Sequence, residues 1–93
     1  MAYRVIYHPD IPKYDLPRIP NNIKTVIRRA IEERLMQEPL LVGEPLRQSL
    51  KGHRKLRVSD YRVIYRIDGN DIIVLKIGHR KDVYTKVFAR LSS

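Results

Sequence analysis

The chain has no cysteine and no tryptophan, with one phenylalanine and four glycines among its 93 residues. Without cysteine, neither a disulfide framework nor a thiolate metal site can be built. His8, His53 and His79 are far apart, with no HxxxH spacing or carboxylate cluster, so metal-assisted chemistry is not expected. The glycines at 43, 52, 69 and 78 lack the paired spacing of a Gly-rich phosphate loop. No apolar run approaches the ~20 residues of a membrane span, and MAYRVIYHPD has no stretch resembling a signal peptide. These absences lead to the expectation of one cytoplasmic domain over residues 1–93, with no cofactor, no metal and no membrane partner.

Acidic residues are also scarce where they would matter most. Residues 47–66 hold seven basic side chains and one acid, Asp60, and residues 76–90 hold five and one, Asp82. The rest carries seven basic and eight acidic residues, so the net charge of +9 belongs to the C-terminal half. Such asymmetry points to a polyanion, most often nucleic acid.

Residues 3–7, YRVIY, read as a short strand. Prolines at 9, 12, 17 and 20 make the next stretch mainly a connection, with room for a helical turn or two. Ile23, Val26, Ile27, Ala30, Ile31 and Leu35 then recur at three- and four-residue spacing. This predicts an amphipathic helix over about 22–37, capped by Asn21 or Asn22 and stopped by Pro39. LLVGEPLRQSL reads as a loop with room for a helical turn, and residues 54–59, 61–67 and 72–78 as strands, the last two joined by DGND. A short helix is expected from about Asp82. The order β-α-β-β-β-α implies an α+β fold, an antiparallel-rich sheet with one long helix or helical hairpin on one face.

Strand alternation assigns faces. Leu56, Val58, Val63, Tyr65 and Ile67 suit the core, as do Ile73, Leu75 and Ile77 on the last strand. Lys55, Arg57, Arg62, Ile64, Arg66 and Lys76 then point the other way, with Arg80 joining them if the strand continues. A solvated strand face normally mixes charge signs, because like charges on neighbouring strands destabilise. This one has almost no acids, which favours anion binding over plain solvation. Metal-free cleavage of RNA is chemistry open to such a face. It needs a base for the 2′-hydroxyl, an acid for the leaving 5′-oxygen, and cations for the phosphorane, where Arg suits the clamp. On spacing alone Tyr84 reads as a helix-packing residue, His53 and His79 as ordinary surface histidines, and a Ser59/His79/Asp82 triad has nothing in its context to support it.

Two motifs, KLRVSDYRVIY at 55–65 and IGHRKDVY at 77–84, change this balance. With the GEPLRQSLKG connection before them, they make the chain resemble the RelE branch of the RelE/ParE toxin superfamily over nearly its whole length. The resemblance implies a RelE-like fold and the toxin of a type II toxin–antitoxin system. It implies a ribosome-dependent mRNA endonuclease whose partners are the ribosome, mRNA and a cognate antitoxin, in a heterodimer or heterotetramer. Its catalytic set maps onto Lys55, Arg62, Arg80 and Tyr84. By analogy Lys55 and Tyr84 help activate the 2′-hydroxyl, while Arg62 and Arg80 stabilise the phosphorane and assist the leaving oxygen. Arg57 binds backbone phosphate, with Arg54, His53, His79 and Lys81 expected to contact RNA beside it. Some relatives carry another basic or aromatic residue where this chain has His53. The competing readings are a ParE-like inhibitor of DNA gyrase and an RNA-binding module without chemistry.

Overall fold

The computed structural model describes residues 3–91. Alternation over the C-terminal half produces three antiparallel strands, β3 (Arg54–Val58), β4 (Tyr61–Asp68) and β5 (Asp71–His79). Ser59, in the left-handed region at φ 54°, turns β3 into β4. Strand β1 (Arg4–Tyr7) docks parallel on β5, pairing Arg4 with Asp71 through to Tyr7 with Val74. A two-residue strand, β2 (Glu44–Pro45), lies inside the stretch read from sequence as a loop, and pairs with β3. The sheet order is β1-β5-β4-β3-β2.

Helix α1 (Asn21–Ala30) runs on through a wider π-helical turn at Ile31–Leu35. Neither asparagine caps it. Pro20 holds the N-cap position, with no side-chain cap, and its carbonyl accepts from the N–H groups of Ile23 and Lys24. Pro39, expected as a stop, instead opens a short helix, α2 (Pro39–Val42), where its missing N–H has no cost. The proline-rich connection forms a π-helical turn at Ile11–Asp15 and a 3-10 turn at Leu16–Arg18. Among the described residues no helix is long and apolar enough to cross a membrane.

The main core packs Ile27, Ala30, Ile31 and Leu35 of the long helix against Leu56, Val58, Val63, Tyr65, Ile72, Val74 and Ile77. The faces expected for β3 and β4 are therefore those observed. On β5 the expectation fails for Ile73 and Leu75. Tyr65 pairs with Val74 while Ile64 pairs with Lys76, so Leu75 is an extra residue in a bulge. A bulge inverts the alternation on one side of itself. Ile72 and Val74 thus supply the core, while Ile77 and Lys76, beyond the bulge, keep their expected sides. The Tyr65 hydroxyl donates to the Pro39 carbonyl at 2.6 Å. Gly43 makes room for the Tyr65 ring, which a Cβ there would overlap.

Helix α3 (Val83–Leu91) closes over the opposite face, burying Val83 and Val87 against Ile64 and Leu50. Gly78 permits this approach, since a Cβ there would lie 3.2 Å from a Val83 methyl. A buried carboxylate fixes α3 in place. Strand β1 covers β5 only as far as Val74, and the next stretch of that edge is met by Asp15 and Arg90. Asp15 accepts from the Ile77 N–H and from Lys76 Nζ, both at 2.9 Å. Arg90 donates to both Asp15 oxygens, at 2.8 and 2.9 Å, and to the Leu75 carbonyl at 2.9 Å. Burial alone would raise the Asp15 pKa, but Arg90, the Ile77 N–H and Lys76 together hold it below the ordinary carboxylate value.

A carboxylate whose pKa is lowered by folding contributes stability that is present above its unfolded value of 3.8 and lost as pH falls through its folded value. We predict that Asp15→Ala, which removes the carboxylate holding the buried Lys76 and shared with Arg90, costs ~3–5 kcal/mol in urea unfolding at neutral pH. Asp15→Asn should also flatten the acid limb of the stability–pH curve. An unchanged acid limb in Asp15→Asn would refute the role given to this carboxylate.

Candidate active site

The cationic face is assembled by strand register. Lys55 pairs across from Ile64, Arg57 from Arg62, and Arg62 from Gly78, so these side chains share the face that α3 partly covers. Lys55, Arg57 and Arg62 line a small cleft of about 70 Å³ together with Val42 and Glu44. Tyr84, in the first turn of α3, is brought to the same place. Lys55 Nζ stands 5.6 Å from the centre of its ring, within cation–π range. Tyr84 is thus a helix-packing residue and a neighbour of Lys55 at once.

Arg57 and Arg62 would repel each other as bare cross-strand neighbours. The conflict is eased by backbone carbonyls. Arg62 is buried, and one of its nitrogens donates to the carbonyls of Ser59 at 3.1 Å and Tyr61 at 2.8 Å. These bonds tie its guanidinium to the β3–β4 turn. A guanidinium has five N–H donors, so the others remain for an anion. Arg57 is exposed beside it.

Arg80 extends the ladder one residue past β5, its N–H donating to the Asp60 carbonyl at 2.8 Å. Its guanidinium pairs with the Asp60 carboxylate at 3.6 Å, with about half of the side chain exposed. It lies at the same end of the sheet as Arg62 but outside the cleft lining. Lys55, Arg57, Arg62 and Tyr84 are therefore gathered, and Arg80 flanks them.

The other residues expected to touch RNA are placed differently. Arg54 points to the opposite face, where it donates to the Leu40 and Gly43 carbonyls at 2.9 and 2.8 Å, bracing α2. His53 is half-buried rather than a surface histidine, its Nδ1 enclosed without a partner among the described residues. His79 packs edge-on against Tyr61, ring centres 5.4 Å apart, on the core side of the sheet end. Lys81 is exposed, and its N–H donates to His79 Nδ1 at 3.2 Å.

Sequence reasoning missed Glu44. It lies directly across from Lys55 on β2, its Oε2 3.9 Å from Lys55 Nζ, and is the one carboxylate among the described residues lining the cleft. The GEPLRQSL stretch showed no alternation to reveal a two-residue strand, so its pairing was invisible. Among the described residues, no three His, Cys, Asp or Glu side chains gather as a metal-ligand set.

Residues 5–84 match the family model described as the ParE toxin of type II toxin–antitoxin system, parDE. The chain is 36% identical over 74 residues to Toxin RelG of Mycobacterium tuberculosis, covering 77% of this chain and 85% of that protein. It is 33% identical over 72 residues to Toxin RelE of the same organism, covering 75% and 74%. Among solved structures, the M. tuberculosis toxin–antitoxin complex RelBE2 superposes with a TM-score of 0.79 at 33% identity, covering 86% of this chain and all of that one. A mutant of E. coli toxin RelE in the free state gives 0.76 at 16% identity, covering 97% and 94%, a likeness of fold.

The site geometry separates two arginines that look equivalent in sequence. Arg62→Ala should lower the thermal midpoint, because it removes bonds to two carbonyls at a buried position, a cost of ~1–3 kcal/mol. Arg80→Ala should leave the melt within ~1 kcal/mol of wild type, since its ion pair is solvent-exposed. Equal melting of both variants would contradict the anchoring role of Arg62.

Proposed function

The chain belongs to the ParE toxin family of type II toxin–antitoxin systems, on the RelE-like branch of the RelE/ParE superfamily, and from this we propose that it is a cytoplasmic, ribosome-dependent mRNA endonuclease. The observation that carries the reading is the cleft joining Lys55, Arg57 and Arg62, with Tyr84 laid against Lys55. Three cations around a space the size of a phosphate group suit a phosphodiester whose charge grows during reaction.

In the proposed reaction the 2′-oxygen attacks the adjacent phosphorus and the bond to the 5′-oxygen breaks. The products are a 2′,3′-cyclic phosphate and a 5′-hydroxyl end. Arg62 and Arg57 hold the non-bridging oxygens, and Arg80 reaches in from the sheet end as the strand lies down. The 2′-hydroxyl proton needs an acceptor. Lys55 accepts only as the free amine, with Tyr84 orienting it, whereas Glu44 is an acceptor whenever ionised. A protonated Lys55 can in turn donate to the departing 5′-oxygen. The enclosed position of Arg62 supplies a cation that does not need to reorganise during the step.

An antitoxin partner is part of the proposal. The M. tuberculosis relative that superposes on this chain was solved as a toxin–antitoxin complex, and a face this basic calls for an acidic covering.

Cleavage of ribosome-bound mRNA, followed by primer extension, is the test. Arg80→Ala should lose ~10² in single-turnover rate, the lower end of the ~10²–10³ that one preorganised donor supplies, because Arg80 must reach in from the sheet end, with its fold unchanged. Glu44→Gln should lose the acidic limb of the rate–pH profile if Glu44 takes the proton, and keep it if Lys55 does. No cleavage by the wild-type chain on translating ribosomes, alongside inhibition of gyrase, would replace this reading with the ParE-type one.

A further inference from the structure

A larger cavity than the cleft lies elsewhere in the molecule. About 260 Å³ opens at the uncovered edge of β5, between the proline-rich turns and α3. Its floor is the Asp15–Lys76–Arg90 cluster, whose two cations are matched by Asp15 together with Asp10, 3.8 Å from Arg90. Its rim has another character. Tyr14 is 50% exposed, and Tyr61 and His79 form an edge-to-face pair. Arg18 is exposed and makes no ion pair among the described residues. Lys86 completes the rim, paired with Asp82 at 3.5 Å.

Resting on the endonuclease reading above, we propose that this cavity is a second RNA subsite that takes one nucleotide flanking the scissile phosphate. Five observations carry it. The volume approaches the ~300 Å³ lower end of ligand pockets, which suits a single nucleotide unit. Four lining cations face two lining carboxylates, and with Asp10 paired to Arg90 one positive charge, that of Arg18 at the rim, is left in excess for a phosphate. Tyr14 and Tyr61 offer aromatic surface for a base, which stacking recognises without regard to sequence. His79 accepts the Lys81 N–H at Nδ1, which makes Nε2 the ring's donor.

Position is the fifth observation. Gly78 lines the cavity and pairs across the ladder with Arg62, which lines the cleft. Neighbouring strands lie ~4.8 Å apart, so the two sites are built on adjacent strands, on either flank of α3. Arg80, two residues beyond Gly78, lies at the same end of the sheet. An RNA strand leaving the cleft past Arg80 reaches the cavity within a nucleotide or two. Arg18 and Lys86 would hold its phosphate and Tyr14 its base.

The experiment is an amide-resolved NMR titration of the full chain with a 2′-O-methylated tetranucleotide, which cannot undergo 2′-attack. Shifts are expected at Tyr14, Arg18, His79 and Lys86 as well as in the cleft. Arg18→Ala with Lys86→Ala should weaken binding about tenfold and abolish the cavity shifts, and Tyr14→Ala should do so by a similar factor. Thermal melts confirm that each variant folds. Shifts confined to Lys55, Arg57 and Tyr84 would overturn the subsite and leave the endonuclease reading standing. Cavity binding without any cleavage on ribosomes would do the reverse. An acidic peptide that fills the cavity while the oligonucleotide does not would also overturn the assignment, in favour of a protein partner.

Discussion

Asp15 makes contacts that reach across the chain to two other elements. It lies in a proline-rich connection, yet it bonds the backbone of β5 and the guanidinium of a residue in the last turn of α3. The need for it arises from the sheet. β1 ends at Tyr7, so the edge of β5 beyond Val74 has no strand beside it. Buried edge groups without partners are costly, and a carboxylate with an arginine can satisfy both an N–H and a carbonyl there. Once that arrangement forms, α3 is pinned at its far end by Arg90 and at its start by Val83 on Gly78. The placement of Tyr84 beside Lys55 follows from it.

The candidate site shows how a sheet tolerates like charges. Arg57 and Arg62 face each other across strands, and Lys55 is two residues away. Arg62 is neutralised in part by turn carbonyls, Lys55 by Glu44 and the Tyr84 ring, and Arg80 by Asp60. These contacts differ in strength. The carbonyl bonds to Arg62 are short and buried, whereas the ion pairs of Lys55 and Arg80 are long and largely wet, worth ~1 kcal/mol or less. An anion arriving in the cleft can displace the weak pairs while the held arginine remains in place. Preorganised and adjustable cations are thus combined on one surface.

The same division explains why two faces of one sheet serve different ends. The side toward α1 is apolar and packed, and Arg54, although basic, is turned there to brace α2 through carbonyl oxygens. The side toward α3 keeps an apolar centre in Ile64, Leu50, Val83 and Val87, with polar ground to either side. The cleft occupies one flank of that helix and the larger cavity the other.

Much of this was legible along the chain. Period-two alternation placed β3 and β4 and their faces, and three- and four-residue spacing placed the long helix. The uneven distribution of acids marked the cationic surface, and two motifs pointed to its family. These signals are local, or depend only on composition, so they survive without coordinates. Other features came from contacts that no local pattern records. The bulge at Leu75 turned Ile73 and Leu75 away from the main core under the long helix because pairing with β4 slips by one residue there. Glu44 enters the cleft through a two-residue strand too short to carry a period. Asp15, Lys76 and Arg90 are separated by 61 and 75 residues, and as isolated letters they look like ordinary surface charges. Arg62 and Arg80 are alike in sequence, and only the turn carbonyls of Ser59 and Tyr61 make one of them rigid and leave the other free to move. Side-chain type and spacing set which residues could meet, whereas burial and long-range pairing settled which of them did.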